Sequence, residues 1–480
     1  MPLRLNRKNA GITSNRPIKV LQFGEGNFLR AFADWIIDKL NEDTEFNGDV
    51  QIVQPIARGM GDLINEQEGL YHVVLTGLRD GKPVKEMRLI QSVKGVINPY
   101  EDFEAYLQTA ENPDLQIVLS NTTEAGIVFN SDDTDPETLP SSFPGKLSVW
   151  LYRRFTHFNG APDKAVTVIP CELIDRNGGK LREVIIQYIQ LWKLPESFLK
   201  WINQHTTFCN TLVDRIVPGF PKENIDEIQE AIGFEDKLVV TAEPFHLWVI
   251  EGPDSVRELL PTQKAGLDVL FVKDQAPYRT RKVRILNGAH TSIVPVAYLH
   301  GLRTVRDSVE DPFCGSFLKE AIDHEIIPTL DLPESELNQF ANSVIERFRN
   351  PFIRHELKAI ALNSISKYKV RVLPSVLEYV DRFGKLPERL VFALACLIRF
   401  YQGEWRGESL PVNDDEDVVK FFQDSWSNSD ARKVTMLVLS NTALWDRDLT
   451  SVPGISNAVA SYLDALQHHD VATAWETRHH

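Results

Sequence analysis

Apolar residues follow two different periods along this chain, and the change falls a little past its midpoint. Up to about residue 270, short runs of β-type apolar residues alternate with stretches in which apolar side chains return every three or four positions. Segments 18–23, 50–53, 115–120 and 165–169 read as strands, and 28–40 and 100–108 as amphipathic helices. Such alternation builds a parallel sheet covered by helices. Residues 130–144, with Asp132, Asp133, Asp135, Pro136, Pro140 and Pro144, read as a solvated loop. From about Asp274 helical periodicity takes over. Segments 281–299, 312–326, 334–348, 354–367, 373–382, 386–401 and 415–426 predict successive helices. The chain reads as α/β: a mostly parallel sheet domain over 1–275, then a mainly α-helical domain over 276–480. The hinge is expected at 273–278, where Asp274, Gln275, Ala276 and Pro277 interrupt both patterns.

Composition narrows what such a protein does. The 480 residues are 43% hydrophobic and 25% charged, as in ordinary globular enzymes. A formal net charge of -15 and the lack of a basic stripe argue against a nucleic-acid partner. No run of about 18 apolar residues and no signal-peptide core occurs, so neither secretion nor a membrane is expected. Cys171, Cys209, Cys314 and Cys396 are scattered without metal-ligand spacing, which predicts free thiols in a reducing cytoplasm and no metal. Oligomeric state is not readable from the helix faces.

The first predicted strand ends in Phe23-Gly24-Glu25-Gly26-Asn27-Phe28-Leu29-Arg30 and runs directly into a helical pattern. Strand, glycine turn and helix in that order form the phosphate-binding start of a Rossmann-like domain. Gly24 permits the tight turn, and Gly26 lets backbone approach a pyrophosphate. Leu29 occupies the place of the usual third glycine. The second strand ends at Gln54-Pro55 without the acidic residue that grips ribose hydroxyls, so NAD and NADP both remain open. Arg58 is a nearby cation for a 2′-phosphate, or a plain surface charge. Asn121 and Thr122 follow the 115–120 strand at the carboxyl edge, where open α/β sheets bind ligands; a capping turn is the alternative.

The most chemical segment is Arg281-Lys282-Val283-Arg284-Ile285-Leu286-Asn287-Gly288-Ala289-His290. At about 100° per residue, Lys282, Asn287 and His290 fall at roughly 0°, 140° and 80° on a helix, spread over about 12 Å of axis. An amine, an amide and an imidazole on one broad face suit proton transfer at a substrate oxygen. The structural alternative is a helix start with a solvated Lys282, a capping Asn287 and a satisfied His290.

Together, Gly24-x-Gly26-x-Phe28-x-Arg30, the 121–126 segment and Lys282-x4-Asn287-x2-His290 resemble the polyol-specific long-chain dehydrogenases, the mannitol dehydrogenase family. Segments 208–216, 243–245 and 347–351 strengthen the likeness, which covers nearly the whole chain. The wording is most similar to the family's hexuronate-reducing members. The resemblance implies hydride transfer with NAD at a sugar-acid ketone or alcohol, and Lys282 as general acid/base. It further implies Asn287 on the alkoxide and His290 on the adjacent hydroxyl. Gly24, Gly26, Asn27, Phe28, Arg30, Asn121 and Thr122 would hold the cofactor, and Asp214 and Arg347 the substrate. One position departs: the family carries asparagine two residues after the cysteine matching Cys171, and here stands Leu173. For a uronate carboxylate the candidate cations are Arg347, Arg354, His355 and Lys367, each with a surface or intradomain alternative. A related hexuronate or a free polyol is the alternative substrate, and a nucleotide-sensing regulator without turnover is the alternative class. A zinc-dependent dehydrogenase fits poorly.

Overall fold

The computed structural model describes residues 2–123, 125–427 and 430–477. It divides into two units, Met1–Thr76 with Pro83–Gln275, and Gly77–Lys82 with Ala276–His480.

The first unit is built on six strands: β1 (Ile18–Phe23), β2 (Asp49–Val53), β3 (Val93–Ile97), β4 (Ile117–Ser120), β5 (Thr167–Pro170) and β6 (Thr207–Phe208). All neighbours pair in parallel in the order β3-β2-β1-β4-β5-β6. The order reverses between β1 and β4, and open α/β sheets of this type bind ligands at such a switch point. Val20, Leu21, Phe23, Val118 and Leu119 are fully or almost fully buried, as strands covered on both faces require. The 28–40 helix is two helices, Asn27–Ala31 and Ala33–Asp43, because Phe32 leaves helical geometry at φ -123° and ψ -76°. Two smaller sheets are additions to the sequence reading. One joins Tyr71–Arg79, Lys82–Ile90 and Val240–Ala242; the other joins Asn210–Asp214, Leu247–Glu251 and Val269–Val272.

The second unit is helical apart from short pieces. Glu388–Phe400 is buried from Leu390 through Ile398, and Gly288–Leu299 is buried at nearly every position. Helices apolar all round belong in a core rather than on a surface. Three sequence expectations change here, the first being 312–326, which is α-helical over Pro312–Ala321 and a π-helix over Ile322–Ile326. The 354–367 stretch is not one helix: Leu357–Ile360 and Ser364–Arg371 are separated at Asn363, which adopts φ +50°. The 281–299 stretch is interrupted too, because Lys282–Asn287 winds as a π-helix between Ala276–Arg281 and Gly288–Leu299. The acidic run at 414–417 marks a helix start, with Glu416 and Asp417 in the first turn. Among the described residues no helix is long and apolar enough to cross a membrane.

Candidate functional site

In the first unit, β1 passes through Gly24-Glu25-Gly26 into Asn27–Ala31, and the two glycines serve different ends. Gly24 has φ +119°, and a Cβ there would lie 3.2 Å from the Asn121 carbonyl oxygen and 3.3 Å from Leu29 Cδ1. Both conformation and space demand glycine. Leu29, in the place of a third glycine, is buried against this turn. A Cβ on Gly26 would meet nothing within 4 Å. Among the described residues no atom accounts for that glycine, whereas a pyrophosphate approaching the backbone does. The residues therefore fit the dinucleotide that the resemblance implies.

Arg30 is held by the protein itself. It is buried, and its guanidinium donates to Glu25 O (3.1 Å), Leu238 O (2.6 Å) and Asn27 Oδ1 (2.7 Å), with its carbon 5.2 Å from the Tyr71 ring centre. It braces the turn from within, and its guanidinium is committed to these protein acceptors. Phe28 stacks on Phe32 at 5.0 Å. Beneath the turn, Gln22 Nε2 donates to Gly24 O (3.0 Å) and Asp34 Oδ2 (3.4 Å), and Tyr71 donates to the same Asp34 oxygen at 2.7 Å. Burial pushes the Asp34 carboxyl up to about 7, against these hydrogen bonds.

Across the switch point, Asn121 N donates to Phe23 O at 3.2 Å. Thr122 commits both its N–H and its hydroxyl to Glu172 Oε1, each at 3.0 Å, and Ser120 donates to Glu172 Oε2 at 3.0 Å. Burial raises the Glu172 carboxyl while those bonds hold it down. Glu172 is thus a structural tie that sequence reasoning missed, although its segment stood out. Thr122 reaches a cofactor only with atoms other than these donors. Thr123 holds φ +87°, a strained conformation for a β-branched residue at a ligand-binding edge. Glu124 lies outside the described residues. Leu173 is 61% exposed and offers no donor where the family asparagine stands. Arg58 is exposed. Asp214 closes its strand as a buried residue, while Arg215 donates to Ala31 O (2.7 Å) and Glu243 O (2.9 Å).

In the second unit, the π winding changes the geometry of Lys282, Asn287 and His290. A π turn closes N–H groups onto carbonyls five residues back, so residues five apart stack as residues four apart do in an α-helix. Lys282 and Asn287 are five apart and share one side of the turn more closely than a regular helix allows. The structural alternative fails at two of its three residues. Asn287 makes no side-chain cap, and His290 Nε2 is buried without a hydrogen-bond partner among the described residues. The His290 ring stacks on Phe348 at 4.0 Å and meets His355 edge-on at 5.1 Å. Burial, then the neighbouring His355, Arg347 and Arg371, hold its pKa well below the ordinary value, so the ring is neutral. A neutral imidazole both donates and accepts, which suits it to orient a hydroxyl.

The carboxylate candidates separate here. Arg347 is buried in the last turn of Glu334–Phe348, beside the His290 stack. Arg354 is 80% exposed along its side chain and pairs with Glu356 at 3.4 Å. Lys367 donates to Ile360 O at 2.8 Å. Phe348 lies in the 347–351 segment of the sequence reading but has no role there, and Arg371 is absent from that reading, with no local signal to mark it. His300, Asp311 and Cys314 place potential metal-binding atoms within 4.8 Å of one another, but Asp311 already caps its helix through Phe313 N and Cys314 N.

Comparison with known proteins fits both halves. Residues 18–264 match the mannitol dehydrogenase Rossmann domain and 274–467 the mannitol dehydrogenase C-terminal domain. An altronate oxidoreductase of Bacillus subtilis is 47% identical over 465 residues, covering 96% of this chain and 95% of its own. One from Pectobacterium carotovorum is 45% identical, covering 98% and 99%. Among solved structures, a substrate-free D-sorbitol dehydrogenase superposes with a TM-score of 0.80 at 23% identity, over 98% of this chain and 100% of its own. A Pseudomonas fluorescens mannitol 2-dehydrogenase in complex with NAD and D-mannitol does so at 0.67 and 21% identity, over 99% of each chain. The chain belongs to the mannitol dehydrogenase family of oxidoreductases.

Proposed function

We propose that this chain is an NAD-dependent oxidoreductase that interconverts D-tagaturonate and D-altronate in the cytoplasm, with Lys282 as general acid/base. The observation that carries the substrate is the similarity, along nearly the full length, to proteins named altronate oxidoreductase. The open space over Gly26 at the β1–β4 switch point supports the cofactor. Free, buried cysteines fit a reducing compartment.

When bound, the nicotinamide supplies hydride to the ketone or takes it from the alcohol. In reduction Lys282 gives a proton to the carbonyl oxygen, and in oxidation it takes the hydroxyl proton. Asn287, on the same side of the π turn, donates to the oxygen as negative charge develops, which counts most in the transition state. Neutral His290 orients the neighbouring hydroxyl. With Leu173 in place of the second asparagine, Asn287 carries the alkoxide alone on this account. Asp214 accepts from a sugar hydroxyl.

NADH oxidation measured in parallel with tagaturonate, fructuronate and fructose tests this reading. Tagaturonate is expected to give the highest kcat/KM. Preference for fructuronate or fructose would reassign the substrate within the family, and NADH binding without turnover on any of them would make the chain a nucleotide sensor.

A further inference from the structure

We propose that Arg371 is the anchor for the substrate carboxylate, seated beside the Asn287–His290 segment. This rests on the sugar-acid reading above and names the residue that makes the substrate a sugar acid rather than a free polyol.

The main chain at Arg371 is fixed against the reacting segment. Arg371 ends the helix Ser364–Arg371, and a Cβ on Gly288, between Asn287 and His290, would lie 3.1 Å from the Arg371 carbonyl oxygen. The absence of that Cβ is what lets the two segments approach so closely. Arg371 is half-buried, yet no hydrogen bond or ion pair occupies its guanidinium among the described residues. Five donors taken partly out of water without an acceptor are costly, so the arrangement makes sense when a ligand supplies the acceptor. A carboxylate accepts from a guanidinium through two parallel bonds, the strongest match available to that fork.

The surroundings have the right sign. The groups acting most on the His290 ring are His355, Arg347 and Arg371, all basic. In a protein of net charge -15, such a patch is the local field an anionic substrate needs against an unfavourable global one. Of the four cations proposed from sequence, Arg354 pairs with Glu356 and Lys367 donates to the Ile360 carbonyl, whereas Arg347 and His355 stand with Arg371 in the basic patch around the His290 ring.

The test compares Arg371→Met and Arg371→Lys with the wild-type enzyme on tagaturonate and on tagatose, a ketohexose without the carboxylate. Circular dichroism and NADH affinity report whether each variant is folded. Arg371→Met is expected to lower kcat/KM on tagaturonate by about 100-fold or more, mainly through KM, and to leave the weaker tagatose activity within about twofold; Arg371→Lys recovers part of the loss. Equal losses on both substrates, or an unchanged KM for tagaturonate, overturn the proposal. If Arg371→Met does not fold, the tagaturonate-to-tagatose ratio of Arg371→Lys decides, and an unchanged ratio overturns it. Wild-type enzyme that does not prefer tagaturonate to tagatose overturns both this proposal and the sugar-acid reading, whereas loss of the proposal alone leaves that preference standing.

Discussion

The imidazole of His290 lies almost face to face with Phe348, ring centres 4.0 Å apart and planes 24° from parallel. An aromatic partner at that distance fixes the ring plane without using a nitrogen, and Nε2, buried without a partner among the described residues, remains for a ligand. The same burial makes the charged form expensive. The first expected outcome is that His290 is neutral at pH 6.5, where an ordinary histidine is half protonated. Nitrogen-15 chemical shifts of the imidazole through an acid titration read this directly. Half-protonation of His290 at or above pH 6.5 would refute the assignment.

Lys282→Ala is expected to slow the chemical step by about 10²–10⁴-fold, the range for a lost general acid/base. Asn287→Ala removes the amide proposed to stabilise the alkoxide and is expected to cost about 10²–10³-fold in kcat. Both leave NADH binding unchanged, because the nucleotide turn belongs to the other unit. Stopped-flow single turnovers separate chemistry from product release. Near-normal rates for Lys282→Ala would remove it from the mechanism.

Gly24 and Gly26 look alike in sequence and are expected to fail differently. Gly24→Ala meets both a φ of +119° and a carbonyl 3.2 Å away, so it lowers stability by about 1–3 kcal/mol. Gly26→Ala meets no atom of the described residues and has φ -67°, so its melting temperature stays near wild type while KM for NADH rises. Thermal melts with NADH titrations distinguish the two, and a Gly26→Ala protein that binds NADH normally would show that its open face is not the pyrophosphate path.

What the sequence makes legible follows from which interactions are local. β1, Gly24 and Gly26 are legible because strand, turn and helix are written in fourteen consecutive residues. Lys282, Asn287 and His290 stand out by spacing, but their π winding does not, since an i→i+5 ladder has no composition of its own and is imposed by packing. Arg30 reads as a ligand because charged residues are expected outside; only the fold brings Leu238 O, more than two hundred residues away, to its guanidinium. Arg371 is invisible for the same reason. It is more than eighty positions from His290, and nothing within its own helix marks it. The break at Asn363, φ +50°, is hidden by an apolar period that continues through it.

Asp34 gives stability an unusual pH dependence. Its carboxyl is fully buried, takes a hydrogen bond from Tyr71, and is pushed up to about 7 from an ordinary 3.8. Between those two values the folded state holds a proton that the unfolded chain has released. Stability is therefore fully present below the unfolded pKa and falls as pH rises toward 7, levelling above it. Glu325, buried and pushed up to about 7 from 4.5, acts in the same direction. His290 acts oppositely: its folded pKa is depressed, so it removes stability as pH falls below its unfolded value of 6.5. Melting temperature is thus expected to peak on the acid side of neutrality and decline by pH 8. Asp34→Asn keeps an uncharged acceptor for Tyr71 and should flatten the decline by a few kcal/mol at most, at about 1.4 kcal/mol for each tenfold difference in proton affinity between the folded and unfolded carboxyl. A variant whose melting temperature falls as steeply as wild type between pH 5.5 and 8 would show that Asp34 is not the group responsible.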